Sequence, residues 1–82
     1  MNNNILHIGK LVLQKLNDEK RPVAWLAHEI TIDESHLRKV LKNQRNIHTD
    51  LLFRISIALK HDFFYYYSQL LQETGEIDPN FR

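Results

Sequence analysis

The 82-residue chain reads as an all-helical domain, and three observations lead there. Apolar residues recur at the three- and four-residue spacing of a helix, and no stretch alternates for long enough to suggest a strand. Only two glycines and two prolines interrupt the pattern. A composition that is 43% hydrophobic and 26% charged is globular, so the pattern belongs to a chain that folds.

The first segment runs from about Asn4 to Glu19, with Ile8, Leu11, Val12 and Leu16 on one face and Gly9 where a neighbouring helix can approach closely. Pro22, suited to a first helical turn, restarts the chain. A second segment of barely two turns, Pro22 to Ile30, carries Val23, Leu26, Ala27 and Ile30 inward. After a break at Thr31 and Ile32, Asp33 is a good N-cap for a third segment reaching Asn43, whose inward stripe is Leu37, Val40 and Leu41. Residues 43–48 form a polar loop. Thr49 is the expected cap of a fourth segment with Leu51, Leu52, Ile55, Ala58 and Leu59 inward. Asp62 is the expected cap of a fifth, which buries Phe63, Phe64, Tyr67, Leu70 and Leu71. Residues 1–73 thus make one domain, followed by a loosely packed tail over 74–82.

The net charge of +1 does not announce a nucleic-acid partner, but its distribution is uneven. Residues 1–19 are neutral and residues 49–82 carry −2, while residues 20–48 carry +3, with Lys20, Arg21, Arg38, Lys39, Lys42 and Arg45 set against Glu29, Asp33 and Glu34. With no cysteine there is no disulfide framework, thiolate metal site or cysteine nucleophile. The first twenty residues lack a signal-peptide pattern, and no apolar run approaches the eighteen or so residues of a membrane span, so a cytoplasmic, soluble protein with no membrane partner is expected. His28-Glu29 starts a zincin-like pattern, but Ile32 stands four residues after His28 where a second histidine would be needed. No metal, cofactor or enzymatic constellation is expected.

Two short helices joined by a few residues, the second starting at a cap and polar on its outer side, are the parts of a helix-turn-helix. At this point the chain resembles a known family. Leu26-Ala27, Ile30, Ile32, Leu37, Val40 and the run Leu51-Leu52-Arg54-Ile55-Ser56-Ile57-Ala58-Leu59 are similar to the lambda-repressor-like (Cro/C1, XRE) DNA-binding domains, over roughly Leu11 to Tyr67. The resemblance implies a compact five-helix domain that lays the helix at about 33–43 in the major groove of double-stranded DNA and regulates transcription.

Independently of the family, about 100° of rotation per residue puts Ser35, Lys39 and Lys42 on the stripe opposite Leu37, Val40 and Leu41, with His36, Arg38 and Asn43 beside it. Such side chains suit base edges at the first turn and phosphates along the sides. The resemblance puts base reading at Glu34, Ser35 and Lys39, with further contacts near His36 and in the Asn43–Arg45 loop, and the exposed face adds Arg38 and Lys42 to Asn43 and Arg45 as backbone contacts. Glu34 also suits the helix N-terminus as a charge. The family pattern is broken at several positions. Val23 stands where a phosphate-contacting Gln is usual, leaving Arg21 or Lys20 to supply that contact. Thr31 replaces the turn Gly, Leu41 a common Glu, and Asn43 a Gly. Val23 and the carboxylate of Glu34 favour a second expectation, an antitoxin-like or scaffold interaction module that keeps the core with weakened DNA contacts.

Trp25, beside the inward stripe of the second segment, is expected to pack partly buried. A single core cannot absorb all of Phe63-Phe64-Tyr65-Tyr66-Tyr67, so Tyr65 and Tyr66 are expected outward as a possible homodimer contact. If two copies bind DNA together, their half-sites lie about 34 Å apart.

Overall fold

The computed structural model describes residues 6–43 and 46–74. Those residues form five α-helices and no strand: α1 (Ile8–Asp18), α2 (Val23–Glu29), α3 (Glu34–Asn43), α4 (Thr49–Leu59) and α5 (Phe64–Thr74). None of these helices is long and apolar enough to cross a membrane.

The core is made by one stripe from each of the first four helices. Ile8, Val12 and Leu16 come from α1, Val23, Leu26 and Ala27 from α2, Leu37, Val40 and Leu41 from α3, and Leu52, Ile55 and Leu59 from α4. Full burial of each large side chain among these is worth about 1.5–3 kcal/mol, and no polar or charged residue among the described ones is buried with them. Leu11, Ile32, Leu51 and Ala58 are only half-buried at the margin of the core they were expected to close.

At the crossing of α1 and α3 the two backbones touch. A Cβ placed on Gly9 would lie 2.2 Å from the Leu41 carbonyl oxygen and 2.9 Å from its carbon. A side chain there meets rigid backbone, so only glycine lets the helices come this close.

Helix ends follow local chemistry. The start of α1 lies later than the expected Asn4, which is outside the described residues: His7 caps it, its Nδ1 accepting from the Lys10 N–H at 3.3 Å. Asp33 caps α3 as expected, its carboxylate accepting from the His36 N–H at 2.9 Å while its carbonyl accepts from the Leu37 N–H. Asp62 accepts from the Phe64 N–H at 3.0 Å at the start of α5. Thr49 does not cap α4. His48 occupies the cap position, Thr49 is the first helical residue, and Asp50 supplies the first-turn negative charge instead.

Three helices end in the same way, on a non-glycine residue with positive φ: Lys20 (57°), Thr31 (56°) and Lys60 (51°). After each, the chain closes a pair of backbone hydrogen bonds: Lys20 to Asn17 and Arg21 to Leu16, Thr31 to His28 and Ile32 to Ala27, Lys60 to Ile57 and His61 to Ser56. This is the Schellman pattern, which glycine normally completes. Thr31 therefore adopts a turn conformation that glycine takes without strain, at the steric cost of a β-branched side chain in the left-handed region.

Two segments depart from expectation. Ile47 lies within the stretch read as a polar loop, yet it is buried and pins the loop to the core. The fifth helix contributes no buried residue. Phe63, just before it, is fully buried, whereas Phe64, Tyr67 and Leu70 are half-buried and Leu71 is 45% exposed. The core is already closed by four helices and Phe63, so α5 covers its edge. Burial at that edge raises the Tyr67 phenol above its ordinary pKa, because the charged form is poorly solvated there. Thr74, assigned to the tail, is the last residue of α5, and the rest of the expected tail lies outside the described residues.

Gly9→Ala tests the close crossing. The overpacking should exceed the ~1 kcal/mol that alanine gains in helix propensity, giving a net loss of about 2 kcal/mol or more by urea denaturation. Thr31→Gly is expected to act in the opposite sense, raising stability by up to about 1 kcal/mol through relief of the left-handed strain. Thermal unfolding of both variants beside the parent chain checks these signs.

Candidate nucleic-acid interface

Every polar side chain expected on the outer side of the third helix is exposed on α3: Glu34, Ser35, His36, Arg38, Lys39, Lys42 and Asn43. The reason is the rotation that burial of Leu37, Val40 and Leu41 imposes, since Ser35, Lys39 and Lys42 then point directly away from the core. Asp33, through its cap, fixes where the helix starts and therefore which residues form its first turn.

This face divides into three parts. The centre is Ser35, Lys39 and Lys42, which make no side-chain hydrogen bond or ion pair with other described residues. On the flank toward Leu41 and α1, Glu34 accepts a hydrogen bond from the Arg38 guanidinium, an i,i+4 ion pair between two exposed side chains. The pair neutralises one of the cations assigned to the DNA backbone and engages a carboxylate assigned to base reading. In water it contributes only a few tenths of a kcal/mol to the helix, so a stronger anion can displace the carboxylate.

On the opposite flank, His36 turns toward a cleft between α3 and the start of α4 that also holds His48, Asp50 and Arg54, with Ile32, Val40 and Leu51 as its apolar lining. His48 and Arg54 were not singled out as candidates in the sequence. They join this surface through tertiary packing, since the twelve-residue separation of His36 and His48 carries no local signal. Arg54 also donates from a guanidinium nitrogen to the Ile30 carbonyl at 3.4 Å, tying α4 to the end of α2 just before the turn into α3.

Arg21 is placed elsewhere. Its guanidinium carbon lies 4.0 Å from the Trp25 ring centroid and its Nε 3.7 Å from Glu19, which also pairs with Lys15 at 3.3 Å. Trp25 is half-buried, as expected, and serves as the platform for this cation. The cleft lined by Arg21, Trp25 and Lys60 includes no residue of α3, so the structure does not bring Arg21 into the α3 stripe. Val23 is buried, which leaves the start of α2 without a polar side chain at that position. Arg45 lies outside the described residues.

The aromatic pair separates. Tyr65 is 53% exposed, but Tyr66 is half-buried, because its hydroxyl lies 2.8 Å from His61 Nε2 and its ring packs toward Phe63. The expectation that both tyrosines face outward is thus corrected at Tyr66, which is held against the molecule by His61 in the link between α4 and α5.

Comparison of the chain with protein-family models, curated proteins and solved structures finds no match in any of the three. Among the described residues no group of three or more His, Cys, Asp or Glu side chains is placed to hold a metal ion.

Proposed function

We propose that this domain is a sequence-specific DNA-binding transcriptional regulator of the lambda-repressor-like type, in which α2, the turn at Thr31 and α3 act as the helix-turn-helix. The observation that carries it is the α3 surface: two unpaired lysines and a serine aligned opposite a fully buried stripe, on a helix whose start is fixed by Asp33. In this mode Ser35 and Lys39 meet base edges, Lys42 and Asn43 contact phosphates, and Arg38 exchanges Glu34 for a phosphate when DNA arrives. His36 and His48 flank the site on the α4 side as further hydrogen-bond donors.

A second reading, a protein-interaction module on the same core, is favoured by two observations. Val23 offers no phosphate contact, and the Glu34–Arg38 pair lowers the positive charge of the face. Fluorescence anisotropy with a random duplex at low salt separates the two. A DNA binder shows affinity that falls steeply as salt rises, whereas an interaction module shows none at any salt.

If α3 lies against DNA, Lys39→Ala combined with Lys42→Ala should weaken binding and flatten the plot of log affinity against log salt by up to about two units, roughly one per phosphate contact. An unchanged slope removes this face from the interface. Glu34→Gln should release Arg38 and tighten binding to a selected operator and a scrambled duplex alike while leaving the slope of the same plot nearly unchanged, because Arg38 meets a phosphate in either case. A selective loss of about 1–3 kcal/mol at a cytosine-containing site would instead make Glu34 a base reader.

A further inference from the structure

Phe53 and Ile57, 54% and 61% exposed, stand one turn apart on α4. They lie directly opposite that helix's buried Leu52, Ile55 and Leu59, so the fold's own core cannot use them. Asp50 precedes Phe53 by one turn on α4, and Lys60, the left-handed residue that ends the helix, lines a cleft together with Ile57. Both charged residues are exposed, and neither has an ion-pair partner among the described residues.

We infer that this stripe is a self-complementary surface on which two copies of the chain pair, α4 against α4, antiparallel about a two-fold axis. The order of the four residues supports a second copy as the occupant. An axis midway between Phe53 and Ile57 sets Phe53 of one copy against Ile57 of the other, and the same operation sets Asp50 against Lys60 twice. The apolar pairs then lie at the centre and two opposite-charge pairs close the ends, the arrangement that an isologous interface requires. Parallel pairing would set Asp50 against Asp50 and Lys60 against Lys60, so the charges also select the direction. This contact differs from the one expected at Tyr65 and Tyr66, and it does not depend on DNA binding.

Sedimentation velocity on the full chain over a concentration series tests the inference. The parent chain is expected to show a reversible monomer–dimer equilibrium. Asp50→Lys and Lys60→Asp should each weaken the dimer by about tenfold or more, because each sets like charges against one another at both ends. An equimolar mixture of the two variants should recover dimer, since one chain then carries only lysines and the other only aspartates at these positions. That recovery requires both variants to be folded, and circular dichroism of each checks it directly. Phe53→Ser with Ile57→Ser provides an independent variant outside the charged ends, expected to be monomeric with native helicity. A parent chain that stays monomeric up to about millimolar concentration overturns the inference, as does a dimer that none of these changes affects.

Discussion

The contact between Gly9 and the Leu41 backbone is the constraint from which the rest of the arrangement follows. Because α1 and α3 meet backbone to backbone, neither can rotate about its axis without a clash, and Leu37, Val40 and Leu41 are committed to the interior. The outer side of α3 is thereby specified with no contribution from the polar residues that occupy it. Those residues are free to differ in chemistry while the helix beneath them keeps its position.

Five helices, their order and most of the inward positions of the first four were legible in the sequence, because burial in a small helical domain leaves a 3.6-residue period that local composition does not obscure. Gly9 and Asp33 were legible for a different reason: a glycine inside a helix and an acid just before one each have few structural uses. What stayed hidden was set by partners distant in sequence. Ile47 looked like loop until the core was seen to reach it, and Tyr66 looked outward until His61 supplied a hydrogen-bond partner. Thr49 was a reasonable cap in isolation, but the actual cap is one residue earlier, within the usual latitude of helix boundaries. Leu71 fitted the helical stripe of α5 and still lies half in water, because a stripe shows which side faces the domain and not how much domain is there to face.

The candidate site was legible residue by residue but not as a surface. The sequence placed Glu34, Ser35, His36, Arg38 and Lys39 on one helix; the structure divides them into an unpaired centre, an internal ion pair and a cleft wall. Arg21 shows the reverse case, a cation just before α2 that packing on Trp25 draws toward another cleft. Charge counted along the chain therefore overstates the charge that α3 presents, and the difference resides in identifiable pairs.

Lys20, Thr31 and Lys60 hold the left-handed conformation at three helix ends where glycine would be unstrained. Their consequence appears in the unfolded chain. Glycine at these sites would add backbone freedom that folding must remove, whereas lysine and threonine narrow the unfolded ensemble in advance. Each turn thus carries strain in the native state and a smaller entropy loss on reaching it, so the two partly cancel. A domain this short, able to bury only a limited share of its surface, has both effects concentrated at its corners.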